Sequence, residues 1–243
     1  MTERGLARFV GSSGQTASSP HADATVADLD EAAPVLARFL RQRSPVAPGE
    51  ACELCGVPVG EHHHRHVVDL ERRGLLCSCR GCALLFTEVG AAEGRYRSVP
   101  ERYVRVEPFS LPPQAWASLQ IPVGIAFVVH NTQLERTVAF YPSPGGATES
   151  ELPLDAWSDI VTANPGLDQV EPDVEATLFR TGPDGAECFI VPVDRCYELV
   201  GTLRLHWRGF DGGQEVRQHL AEFFTDVASR SRPVRSSGVP VDG

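Results

Sequence analysis

Apolar positions change their period along this chain, and each change predicts an element. Over residues 27–43, Leu29, Ala32, Ala33, Leu36, Phe39 and Leu40 recur at helical spacing, so an amphipathic helix is expected, with Pro34 fitting its first turn. Beyond a turn at Gly90 to Gly94, residues 95–107 alternate as one edge strand or two short ones. Residues 123–130 and 138–141 read as a hairpin, and residues 174–180 and 187–191 as another about Gly182 to Gly185. Leu154, Trp157, Ile160 and Val161 give an amphipathic helix that closes at Asn164 and Pro165. Residues 193–199 read as a helical turn and 203–207 as a half-exposed strand. A last helix over residues 214–229 carries Val216, Leu220, Phe223, Phe224 and Val227 on one face. Together these predict an α+β fold, an antiparallel sheet with covering helices.

The 243 residues divide by composition into a disordered tail (1–25), a helix and linker (26–49), a small metal ribbon (50–94), the α+β domain (95–230) and a second disordered tail (231–243). A ribbon segment this small buries little core, so a metal ion would supply most of its folding free energy.

The ribbon is assigned on its cysteines. Cys52 and Cys55 form one CxxC pair and Cys79 and Cys82 a second, some twenty-odd residues on. Thiolates three positions apart reach one ion from the same side if the backbone between them turns tightly, which Gly56 and Gly81 favour. Two facing turns of this kind make a tetrahedral all-sulfur site suited to Zn(II) or to a single Fe. Cys52, Cys55, Cys79 and Cys82 are the expected ligands. Cys77 sits one pleat back from Cys79 and is expected as a buried thiol beside the site, with a substitute ligand or redox partner as the alternative. His62, His63, His64 and His66 read as a solvated loop entering a strand, against transient binding of a borderline metal or replacement of a cysteine. The segment leaving the second pair, residues 83–87, reads as a strand.

Charge narrows the partners. The net charge is -10 and all 22 basic residues are arginine; residues 106–243 hold 19 acidic residues against 9 arginines. A nucleic-acid footprint is therefore not expected, although Arg95, Arg97, Arg102 and Arg105 lie together after the ribbon. No apolar run is long enough to span a membrane and no signal sequence opens the chain, so a cytoplasmic location is expected, where clustered cysteines mean metal or redox chemistry more often than disulfides.

Elsewhere the chemistry is sparse. The alternation predicts His206 on the open face of a strand in a structural role, and Cys188 and Cys196 as core thiols. Asp155, Asp159, Glu171, Asp173 and Glu175 read as solvated carboxylates. No nucleophile elbow, phosphate loop or zinc-protease helix is present, so an enzyme is the less favoured reading.

Several motifs occur together: Cys52-x2-Cys55-Gly, Leu75-Leu-Cys-x-Cys-x2-Cys-x-Leu-Leu-Phe86, Ile121-Pro-Val-Gly-Ile-Ala-Phe127, Val138-Ala-Phe-Tyr-Pro-Ser-Pro144, Leu152-Pro-Leu-Asp-Ala-Trp157, and Cys196-Tyr-Glu-Leu-Val-Gly201 with Leu205-His-Trp-Arg-Gly-Phe-Asp-Gly-Gly213. In this combination the chain, from about residue 50 to 228, resembles an uncharacterised bacterial family encoded beside uptake NiFe hydrogenase genes. The resemblance implies an accessory role in maturation, assembly or electron transfer, with a hydrogenase subunit or maturation factor as partner. It supplies no reaction. A rubredoxin-like iron module and a nucleic-acid-binding zinc ribbon are the alternatives.

Overall fold

A computed structural model describes residues 51–60, 64–143, 145–150, 154–182, 185–208 and 212–234. The helix expected over residues 27–43, the tail before it, His62 and His63 lie outside these residues.

The described chain has two sheets. The smaller has the order β2-β1-β3, all antiparallel, from β1 (Arg65–Asp69), β2 (Gly74–Ser78) and β3 (Tyr96–Ser98). Residues 95–107 thus form two short strands belonging to different sheets, because β4 (Val104–Arg105) pairs with the larger one. That sheet has the order β10-β4-β9-β8-β5-β6-β7, from β5 (Ile125–Asn131), β6 (Arg136–Ser143), β7 (Gly146–Ser150), β8 (Glu175–Gly182), β9 (Gly185–Pro192) and β10 (Arg232–Pro233). Both predicted hairpins are present, and the α+β class holds. β10, within the segment the sequence assigns to a disordered tail, runs parallel to β4 and closes that edge.

The near-continuous apolar runs of β5, β8 and β9 follow from burial on both faces. On one face, Ala126, Val128, Phe179, Cys188 and Ile190 pack with Trp116 of α2 (Pro113–Ser118) and with Trp157 and Ile160 of α3 (Leu154–Ala163). On the other, Phe127, Leu178, Phe189 and Val191 meet Cys196, Leu199 and Leu203 of α4 (Val193–His206) and Val216, Phe224 and Val227 of α5 (Gly213–Arg230). Val68 of β1, with Leu70 and Val99 directly after β1 and β3, packs against Val174 and Val193.

Two elements differ from the sequence reading. Residues 203–207 do not form a strand; α4 continues to His206. A strand would put Leu203 and Leu205 on one face, whereas one is 1% and the other 73% exposed, as two residues on nearly opposite sides of a helix must be. Residues 83–87 do not form a strand either. The turn of the second cysteine pair runs directly into α1 (Arg80–Leu84), with Cys79 as its N-cap.

Candidate metal centre

Each cysteine pair is placed by a local turn. In the first, Gly56 N–H donates to the Cys52 carbonyl at 2.7 Å and Cys52 N–H to the Val57 carbonyl at 2.8 Å, with Gly56 at φ +70°, where a side chain would be strained. In the second, Cys82 N–H donates to the Cys79 Sγ at 3.4 Å and Ala83 N–H to the Cys79 carbonyl at 3.0 Å. Gly81 lies inside α1 without positive φ; a Cβ there would sit 3.8 Å from the Cys79 Sγ, an ordinary contact.

The two turns bring the Sγ atoms of Cys52, Cys55, Cys79 and Cys82 within 4.8 Å of one another. Cys55 and Cys79 are separated by 3.8 Å between sulfurs. Sulfurs held about 2.3 Å from a tetrahedral ion stand about 3.8 Å apart, so the donor set fits one cation without rebuilding the backbone. The electrostatics point the same way. Burial alone would raise the Cys52 thiol, but backbone N–H groups of Cys79, Cys55 and Leu54, together with the Cys55 side chain, bring it down to about 6. Cys82 is pushed far up by burial and by hydrogen bonds to Cys55, Cys79 and Cys52. Four thiols this close cannot all ionise unless a cation lies among them.

Cys77 stands outside the cluster. It pairs with His66 across β1 and β2, and burial, then Glu53 and Cys52, raise its thiol. His64 and His66 are also apart from the sulfurs: His66 Nδ1 lies 2.8 Å from an Asp194 carboxylate oxygen at the start of α4. Cys188 and Cys196 are buried in clusters on opposite faces of the large sheet, so they cannot form a redox pair. Glu175, read as a solvated carboxylate, is fully buried and takes two hydrogen bonds from Arg102. Asp173 accepts from the Thr132 N–H and hydroxyl at 2.9 and 2.7 Å. Arg95, Arg97, Arg102 and Arg105 each pair with acidic residues.

Sequence reasoning missed a second group of donors. His206, placed by α4 rather than by a strand, meets Glu215 and His219 of α5, and their donor atoms also lie within 4.8 Å of one another. The only local signal was Glu215 four positions before His219 on one helical face.

Residues 51–231 match a family model described as "Family of unknown function (DUF5947)". The chain belongs to this family. The match begins just before Cys52 and ends just after α5, so the four-cysteine ribbon and the sheet domain are covered by one family model. No curated protein and no solved structure matches the chain. Among the described residues, no helix is long and apolar enough to cross a membrane.

Proposed function

We propose that this chain is a non-catalytic, cytoplasmic accessory protein whose ribbon holds one zinc ion on Cys52, Cys55, Cys79 and Cys82. The ion fixes two turns that present a surface to a protein partner, a NiFe hydrogenase subunit or one of its maturation factors. The observation that carries this reading is the stretch directly after a ligand. Leu84, Leu85 and Val89 are 62%, 68% and 81% exposed within seven positions of Cys82. Large apolar side chains in solvent beside a metal-fixed turn fit a contact surface better than a site for small-molecule chemistry. The hydrogenase partner rests on the motif resemblance.

The test uses hydrogenase subunits and maturation factors purified one by one. The zinc-loaded chain is expected to capture one of them, and Cys52→Ser with Cys55→Ser to lose it. Capture retained by that double variant, or none by the parent chain, defeats the proposal.

A rubredoxin-like iron module is the second reading, favoured by one observation: Cys55 is solvent-exposed, which would give a single electron a short path to a docked partner. Colour separates the two. Anaerobically purified protein with a thiolate-to-iron absorption band supports iron, and colourless protein with one zinc per chain supports zinc. Nucleic-acid binding is disfavoured because the arginines that follow the ribbon are each paired with carboxylates.

A further inference from the structure

The joint between α4 and α5 carries a donor set that the ribbon does not need. His206 lies on the last turn of α4, and Glu215 and His219 are one turn apart near the start of α5. The chain enters α5 through Gly212 and Gly213, at φ +80° and +78°, conformations that side chains rarely adopt. The two helices bring the imidazole rings to a centroid separation of 4.1 Å, tilted by 40°, and set His206 Nδ1 2.7 Å from a Glu215 carboxylate oxygen. Both histidines are half-buried and Glu215 is exposed, so the group is anchored by the helices yet open to solvent.

We propose that His206, Glu215 and His219 form a second metal site, an exchangeable one for a divalent late first-row transition ion. Two imidazoles and one carboxylate match the donor preference of Zn(II), Ni(II), Co(II) and Cu(II), whereas Mg(II) and Ca(II) require all-oxygen shells. Ligands on such an ion stand about 3.3 Å apart, and the donor atoms of these three side chains already lie within 4.8 Å of one another. Three protein ligands leave at least one position to water or to an incoming ligand. The site therefore differs in kind from the closed four-sulfur centre: it releases its ion readily and clamps α4 to α5 while loaded.

The full chain, with its ribbon already filled by one equivalent of Zn(II), is titrated with further Zn(II) by calorimetry. One additional equivalent per chain is expected, weakened at least tenfold in His206→Ala, in His219→Ala and in the shape-preserving Glu215→Gln, and unchanged in His64→Ala. Thermal melts are expected to rise with the second equivalent in the parent chain and not in Glu215→Gln. The absence of a second equivalent in the parent chain overturns the proposal. So does uptake that survives in all three variants. A Cys52→Ser, Cys55→Ser chain is expected to keep this equivalent, so failure of the ribbon and failure of this site read out separately.

Discussion

Glu53 and Cys77 hold the two cysteine turns together. The Glu53 carboxylate accepts from the Cys77 N–H at 2.5 Å, and the Cys77 carbonyl accepts from the Glu53 N–H at 2.9 Å. Residue 53 lies between Cys52 and Cys55 and residue 77 two positions before Cys79, so this pair ties one turn to the other. The backbone of Cys77 does this, and its sulfur takes no part. Cys77→Ser is therefore expected to keep one metal ion per chain. Glu53→Ala is expected to weaken binding on the order of tenfold, in the range for partners that orient metal ligands. Competition with a chromophoric chelator measures both.

Metal removal should act locally. The large sheet has its own core on both faces, while the turns at Cys52 to Pro58 and at α1 bury little: Cys52 and Ala83 are the only buried residues of the two. Chelation is expected to abolish hydrogen-exchange protection in these turns and leave β8 and β9 protected. Equal loss across the large sheet would mean that the ion supports the whole unit.

Glu175 is fully buried at the start of β8, with its carboxylate on Arg102 Nε at 2.9 Å and on the Glu171 N–H at 2.9 Å. Arg102→Met leaves that charge buried without its cation and is expected to cost about 3 kcal/mol in urea unfolding. Adding Glu175→Leu should recover part of the loss. Strict additivity of the two changes would show that the pair is not coupled.

The four-cysteine cluster was legible because CxxC spacing is a local property: each turn positions its own pair, and only the meeting of the turns needs the fold. The large hairpins were legible for a similar reason, since burial on both faces leaves apolar runs bounded by turn residues. β7 was missed because Gly146–Ser150 has no large apolar side chain and sits at a sheet edge, where one neighbour suffices. The end of α4 was misread because Leu203, Leu205 and Trp207 alternate as a strand would, and only the packing of Leu203 with Cys196 and Leu199 decides for the helix. His219 carried no signal by itself, as its partner His206 reaches it only after α4 and α5 fold together.

Asp69 gives the acid limb of stability a specific source. It is buried in β1, and hydrogen bonds from Arg95, opposed by burial and assisted by the Arg72 N–H, hold its carboxyl below the usual carboxylate range. A depressed pKa contributes stability above the unfolded value, about 3.9, and loses it as the pH falls through the folded value. The difference in urea midpoint between the parent chain and Asp69→Asn is therefore expected to be constant from pH 7 to 5 and to shrink below about pH 4. A gap that stays constant to pH 3 would assign the effect to packing.

The contact surface can be tested without touching the metal. In α1 Ala83 is buried, while Leu84 and the C-cap residue Leu85 are exposed, so a charge at either leucine meets solvent and not core. Such surface changes shift stability by no more than about 0.5 kcal/mol. Leu84→Glu with Leu85→Glu is expected to retain one ion per chain and an unchanged melting temperature, yet to lose partner capture at least tenfold. The metal turn would then be a scaffold and the leucines the contact. Capture at full strength by this variant would move the interface elsewhere on the chain, even if the four sulfurs hold their ion as proposed.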